Sequence, residues 1–189
     1  MKFIKTQIDE CYIVEPETFA DERGFFLESY NKKKFDEIIG EVNFVQDNHS
    51  RSLKGTLRGL HFQSKFPQGK LVRVLNGEVL DVAVDLRKDS KTFGNSVSVI
   101  LSSHNKKIFW VPPGFAHGFQ VLSESADFVY KCTDFYHKDD QHGIRWDDKS
   151  LKINWPIKEP ILSKKDAILP LIKDIKIWKY STWSLIMEN

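Results

Sequence analysis

Six histidines, His49, His61, His104, His117, His137 and His142, are the side chains of this 189-residue chain best suited to move a proton near neutral pH. Two of them sit in informative surroundings. His61 stands in Leu57-Arg58-Gly59-Leu60-His61-Phe62-Gln63, an otherwise apolar, strand-like segment. A strict two-residue period puts Arg58 and His61 on opposite faces, whereas a bulge at Gly59 would turn both toward one cavity. His117 follows the turn Pro112-Pro113-Gly114-Phe115-Ala116. A core histidine with both ring nitrogens hydrogen-bonded would show the same pattern, so neither residue identifies a site alone. A catalytic histidine working without a metal needs a carboxylate to set its tautomer and stabilise its cation. Spacing leaves three such carboxylates open: Asp81, Asp85, and Asp166 in Ser163-Lys164-Lys165-Asp166.

A turn followed by a histidine, as at His117, also occurs in cupin barrels. Metal-binding cupins place a His-x-His pair and a Glu after a Gly, but here Gly59 to Gln63 offers no second histidine. Zinc or non-haem iron needs three or four converging ligands. His49, His61 and His117 could converge, yet no acidic ligand stands at a suitable short spacing, so no metal is expected.

The elements that must carry these groups read as β-strands. Runs recur at Gly24–Tyr30, Val42–Asn48, Lys70–Leu75, Glu78–Leu86, Ser96–Leu101, Lys107–Val111, Gly118–Leu122 and Asp127–Thr133, separated by turn signals. Asn76-Gly77 between two apolar runs predicts a hairpin. In Glu78–Leu86, Leu80, Val82, Val84 and Leu86 alternate with Val79, Asp81, Ala83 and Asp85. That second face suits either water or a polar cavity. Helix is expected at Lys32–Ile39, capped by Asn31 and ended by Gly40, with a short Ser163-capped turn near Leu169. No repeat or linker divides residues 1–189, which read as one domain: an all-β, jelly-roll barrel of the cupin type with a few short peripheral helices.

Composition narrows the function classes. Lys and Arg number 28 against 26 Asp and Glu, a net +2 too small and mixed to suggest a nucleic-acid or membrane partner. Phe, Tyr and Trp make up 13% of the chain, which suits a β-rich core and offers rings for stacking on sugars or bases. Cys11 and Cys132, far apart in sequence, read as two reduced thiols, and the opening residues hold no long apolar stretch; a cytoplasmic protein is expected.

Several segments together resemble one family. They are Asp21–Glu28, Phe44–Ser50, Leu57–Gln63, Gln68–Val74, Gly77–Asp85, Pro113–Phe119, Tyr130–Tyr136, Gly143–Trp146, Ile153–Pro156 and Ser163–Asp166, in that order. Over about Val14 to Pro170 the chain resembles the dTDP-4-dehydrorhamnose 3,5-epimerases and relatives acting on other nucleotide-linked 4-keto sugars. The resemblance implies a cofactor-independent epimerase whose substrate ketone at C4 acidifies the protons at C3 and C5. It implies His61 as the base, Asp166 as its carboxylate, Lys70 as the cation beside the enolate oxygen and Tyr130 as the acid on the opposite face. It also implies that Arg58 and His117 line the sugar and diphosphate region, that Tyr136 stacks on the nucleobase, and that Gln46 and Asn48 line the pocket from one strand face. Relatives are homodimers, so Arg23, Phe26 and Glu28 are expected to act in the neighbour's site.

The chain departs from the family pattern at Gln141-His142, where Glu is frequent, and at Ser64–Pro67; the tail beyond Pro170, with Trp178 and Trp183, carries no usable motif. The expected substrate is dTDP-4-keto-6-deoxyglucose, inverted at C3 and C5 for deoxysugar or surface-polysaccharide synthesis. Alternatives are a GDP- or CDP-linked 4-keto hexose or heptose, a 3,4-ketoisomerase, and a metal-dependent or non-catalytic cupin.

Overall fold

Strands with one apolar side must stack that side on another layer, and the alternating runs of this chain do so in two facing sheets. A computed structural model describes residues 1–175; Trp178 and Trp183 of the tail lie outside the described residues. The strands are β1 Lys2–Lys5, β2 Tyr12–Glu15, β3 Thr18–Asp21, β4 Gly24–Leu27, β5 Gln46–Leu53, β6 Leu57–Gln63 and β7 Lys70–Asn76. They continue as β8 Glu78–Asp85, β9 Ser96–Ser102, β10 Ile108–Val111, β11 Phe115–Val121, β12 Ser125–Cys132 and β13 Gln141–Gly143. One sheet runs β1-β2-β10-β7-β12-β5 and the other β13-β6-β11-β8-β9, with antiparallel neighbours throughout. This is the cupin-type jelly roll expected from the sequence.

The inner faces share one core. Val72 and Val74 of β7, Ala126 and Phe128 of β12, Val79 and Ala83 of β8, and Phe115, Phe119 and Val121 of β11 pack together there. Phe119 and Phe128 stack across the two sheets at 4.1 Å. A second cluster, Leu57, Leu60, Phe62, Leu80, Val82, Val84 and Leu86 with Ile144, Leu151 and Trp155, covers the outside of the second sheet. Strand β8 is therefore buried on both faces, and each fully buried Val or Leu contributes about 1.5–3 kcal/mol of transfer free energy. Asp81 and Asp85 face no bulk water: both are completely buried. The polar-cavity alternative holds for that strand.

Asn76-Gly77 does not close a hairpin. Strands β7 and β8 lie in different sheets, and the dipeptide is the corner between them. Gly77 has φ 80°, and a Cβ there would collide with the Ser125 carbonyl oxygen. The local turn chemistry is satisfied, but packing Val72 and Val74 against Val79 and Ala83 from opposite sides requires the chain to change layers. Strand β5 also begins later than expected, at Gln46, because Val42 and Phe44 pack against the helix-side cluster of Phe35, Leu71 and Trp110 instead of joining a ladder.

Helix α1 spans Lys32–Ile39 as expected. The Asn31 side chain accepts from the Lys34 N–H, Gly40 ends the helix, and buried Phe35 anchors it beside Phe3 and Tyr30. Among the described residues, strands β3 and β4 pair only with each other, with Phe19, Phe25 and Phe26 exposed by 57%, 62% and 69%.

Candidate active site

Strand β6 turns both Arg58 and His61 toward one side because it carries an extra residue. Against β11, His61 pairs with His117 but Arg58 pairs with Phe119, so β6 spends three steps where β11 spends two. This is the bulge anticipated at Gly59, and it turns Arg58 to the same side as His61. Gly59 has φ 113°, and a Cβ would lie 2.7 Å from both the Gly118 Cα and the His117 carbonyl oxygen, so no other residue fits.

His61 and His117 each hold a carboxylate. The His61 Nε2 lies 2.6 Å from the Asp166 Oδ1. Asp166 opens a 3-10 turn, Asp166–Ile168, and its N–H donates to the Ser163 Oγ at 3.0 Å, much as the sequence pattern indicated. Burial alone would raise the Asp166 carboxyl, but hydrogen bonds from His61, Ser163 and the Gly59 N–H hold it below its ordinary value. The His117 Nε2 lies 2.9 and 3.0 Å from the two oxygens of Asp81. Here burial wins: it raises the Asp81 carboxyl against the lowering influence of His117 and Lys70. Asp85 belongs to neither histidine, since Arg87, Ser90 and Thr92 occupy its oxygens. Of the three carboxylates left open by spacing, the fold pairs Asp166 with His61.

The facing sheet supplies the other groups. Lys70 opens β7, opposite Cys132 in the β7–β12 ladder. Burial pushes its ammonium below the ordinary lysine range, opposed by Cys132 and Asp81, and its Nζ has no hydrogen-bond or ion-pair partner among the described residues. Tyr130 on β12 is pushed up to about 12 by burial and by Cys132, with Arg58 acting in the opposite direction. Its phenol is therefore protonated at neutral pH. From β5, Gln46 donates through Nε2 to the Asn48 Oδ1 at 3.0 Å, and Asn48 donates to the Cys132 Sγ at 3.5 Å, so both amides share the interior face as their spacing implied. Arg58 remains exposed, its Nε donating to the Ser52 Oγ at 3.0 Å. At the rim, the Tyr136 N–H donates to the Gln46 Oε1 at 2.9 Å.

Three expected residues stay away from this cluster within one chain. Arg23 pairs with Asp21, Glu28 with Lys34 and Asn31, and Phe26 sits on the exposed β3–β4 ribbon. His49 does not converge with His61 and His117 either. It lies on the opposite face of β5 from Asn48, 3.0 Å from Asp127, which Arg51 also grips. Among the described residues no group of three or more His, Cys, Asp and Glu could hold a metal ion. Two participants escaped the sequence reading. Cys132 looked like a bare reduced thiol but lies between Lys70 and Asn48, and its place opposite Lys70 became visible only through strand pairing. Lys165, given no role from the sequence, reaches the Gln141 Oε1 at 2.8 Å.

A histidine–carboxylate pair, a buried ammonium and a protonated tyrosine inside a jelly roll define a barrel built for proton transfer. Residues 5–174 match the family model described as dTDP-4-dehydrorhamnose 3,5-epimerase. The chain is 58% identical over 168 residues to the dTDP-4-dehydrorhamnose 3,5-epimerase of Shigella flexneri, covering 88% of this chain and 93% of that protein. It is 55% identical over 175 residues to that of Salmonella typhimurium, covering 91% and 96%. The crystal structure of dTDP-6-deoxy-D-glucose-3,5-epimerase from Legionella pneumophila, in complex with dTDP-4-keto-L-rhamnose, superposes with a TM-score of 0.92 at 54% identity, covering 95% of this chain and 98% of that one. The chain belongs to the dTDP-4-dehydrorhamnose 3,5-epimerase family and is an isomerase of the carbohydrate-epimerase class.

Proposed function

We propose that the chain inverts C3 and C5 of dTDP-4-keto-6-deoxyglucose, giving dTDP-4-keto-rhamnose. The observation that carries this reading is the placement of His61 and Tyr130 on opposite sheets, a base on one wall of the cavity and a neutral phenol on the other. Inversion at a carbon beside a ketone needs that arrangement. His61 takes the C–H proton, and the electron pair moves into the C4 carbonyl to form an enolate. Lys70, poor in partners, supplies positive charge where the enolate oxygen develops. Tyr130 then returns a proton from the opposite face, and both groups exchange protons with solvent before the next carbon reacts. Asp166 holds His61 and stabilises its protonated form. Each step moves protons only, so the chemistry calls on no redox cofactor and no metal.

Binding follows the same map. Arg58 serves the diphosphate, His117 the sugar end, Gln46 and Asn48 the substrate hydroxyls, and Tyr136 the nucleobase. The thymidine nucleotide is favoured because the similar Legionella protein was solved with a dTDP sugar. A homodimer completes the site: an isolated two-stranded ribbon is marginal in water, and β3–β4 exposes three phenylalanines in just such a ribbon. Seating it on a second copy brings Arg23, Phe26 and Glu28 to the partner's cavity. The single domain works in the cytoplasm, where the free thiols of Cys11 and Cys132 are at home.

The test is solvent deuterium exchange at C3 and C5, run with dTDP-, GDP-, CDP- and UDP-linked 4-keto sugars. Exchange at both carbons with the dTDP sugar is expected. Exchange at one carbon would restrict the enzyme to a single inversion, and none with any nucleotide sugar would remove the epimerase reading.

A further inference from the structure

Gln141 stands where the family resemblance leads one to expect an acidic residue, and its surroundings give it a task. It opens β13, two positions before Gly143, which pairs with His61 in the β6–β13 ladder. Its carboxamide oxygen accepts two hydrogen bonds, from the Tyr136 Oη at 2.9 Å and from the Lys165 Nζ at 2.8 Å. One amide oxygen has two lone pairs and can take both donors, and because an ammonium only donates, the Lys165 contact sets the orientation of the amide. Lys165 immediately precedes Asp166, and the turn carrying that carboxylate is only three residues long. Short exposed turns are among the least stable pieces of a fold, and a tether there restrains what they carry. The Tyr136 ring is half exposed, and Gln141 is its one side-chain hydrogen-bond partner among the described residues.

We propose that Gln141 is a positioning residue that couples contact at Tyr136 to the placement of Asp166 behind His61. The proposal rests on the function above, in which Tyr136 meets the nucleobase and His61 removes the proton. Filling the nucleotide end of the cavity fixes the Tyr136 ring, the ring fixes the Gln141 oxygen, and the oxygen holds Lys165 and the turn that presents Asp166. The amide also holds Lys165 without neutralising it, which leaves its positive charge at a rim that receives a diphosphate. A carboxylate would hold Lys165 as firmly but cancel that charge.

The experiment is a double-mutant cycle of Tyr136→Phe and Lys165→Met, read as kcat and KM for the dTDP 4-keto sugar and repeated with Gln141→Leu and Gln141→Glu. Each single change is expected to lower kcat/KM by about two- to tenfold, the range for one net hydrogen bond. The double variant is expected to be no worse than its weaker parent by more than about twofold, because both changes cut the same tether. Gln141→Leu should reproduce that loss and move the acid limb of the kcat–pH profile, while Gln141→Glu, which keeps the acceptor, should restore the limb and raise KM through charge cancellation. Effects of Tyr136→Phe and Lys165→Met that multiply, or a Gln141→Leu profile that does not move, would overturn the coupling in an enzyme that is otherwise active. Absence of turnover by the wild-type enzyme would overturn the functional reading, and the coupling with it.

Discussion

Two histidine–carboxylate pairs sit on neighbouring strands, His61 with Asp166 and His117 with Asp81, and they differ mainly in burial. The His61 side chain is 25% exposed, whereas those of His117 and Asp81 are 7% and 0% exposed. Asp166 is held below the ordinary aspartate range and Asp81 above it. The contrast follows from where each carboxylate comes from. Asp166 arrives on a peripheral turn, where donors from His61, Ser163 and Gly59 surround a buried carboxylate. Asp81 grows from a strand buried on both faces, where desolvation outweighs its partners. A proton-transferring group needs access and a stabilised cation, and the first pair offers both. The second pair reads as the floor of the cavity, holding β8 to β11 and setting the field under Lys70.

Replacing each histidine should separate the two pairs most sharply. His61→Ala is expected to lower kcat by about 10²- to 10⁴-fold, the usual weight of a general base, with little change in the urea midpoint. A comparable rate with His61 absent would move the base elsewhere. In His117→Ala the Asp81 carboxylate loses its partner in the core, and breaking a buried pair costs about 3–5 kcal/mol. Urea denaturation should show that loss, and adding Asp81→Asn to the same chain should recover part of it. An unchanged midpoint would show that the second pair is not structural.

The carboxylates should then separate by pH. Asp166→Asn is expected to cost about a hundredfold in kcat, because an amide cannot stabilise the imidazolium. Folding keeps Asp166 below its ordinary value of 3.8, so its stabilising contribution is complete above that pH and lost as pH falls through the folded value. Asp81 has the opposite sign: the unfolded chain releases its proton first, so its contribution declines as pH rises past 3.8. Urea midpoints between about pH 3 and 6 should therefore change slope in opposite senses for Asp166→Asn and Asp81→Asn. Equal slopes would erase the distinction.

The smallest effect concerns the acid on the facing wall. Burial pushes the Tyr130 phenol up to about 12 from an ordinary 10, so the folded state keeps a proton that the unfolded chain gives up. Stability should fall as pH rises from 10 to 12, and Tyr130→Phe should remove that part of the decline. A wild-type curve flat over that range would mean the phenol is solvated and ill suited to return a proton.

Much of this arrangement is legible in the order of residues. The Asn31 cap and Gly40 stop of α1, the bulge at Gly59 and the shared face of Gln46 and Asn48 follow from local rules, because caps, bulges and alternation depend on residues within a few positions of each other. The family resemblance assigned Asp166 to His61, which spacing could not do across 105 residues of chain. Local rules failed where layers compete. Asn76-Gly77 has hairpin chemistry, yet β7 and β8 part at that corner because the core needs their apolar sides facing each other.

By itself, then, the amino-acid sequence determined the β architecture, helix α1 and which side chains could move a proton, since those depend on side-chain type and short-range periodicity. Tertiary structure alone decided which histidine is accessible and which is buried, placed Cys132 opposite Lys70, and turned Gln141 toward both Tyr136 and Lys165. Burial and strand register are set by segments far apart in sequence, and desolvation, which prevails at Asp81 and is outweighed by hydrogen bonds at Asp166, exists only once those segments have closed around a charge.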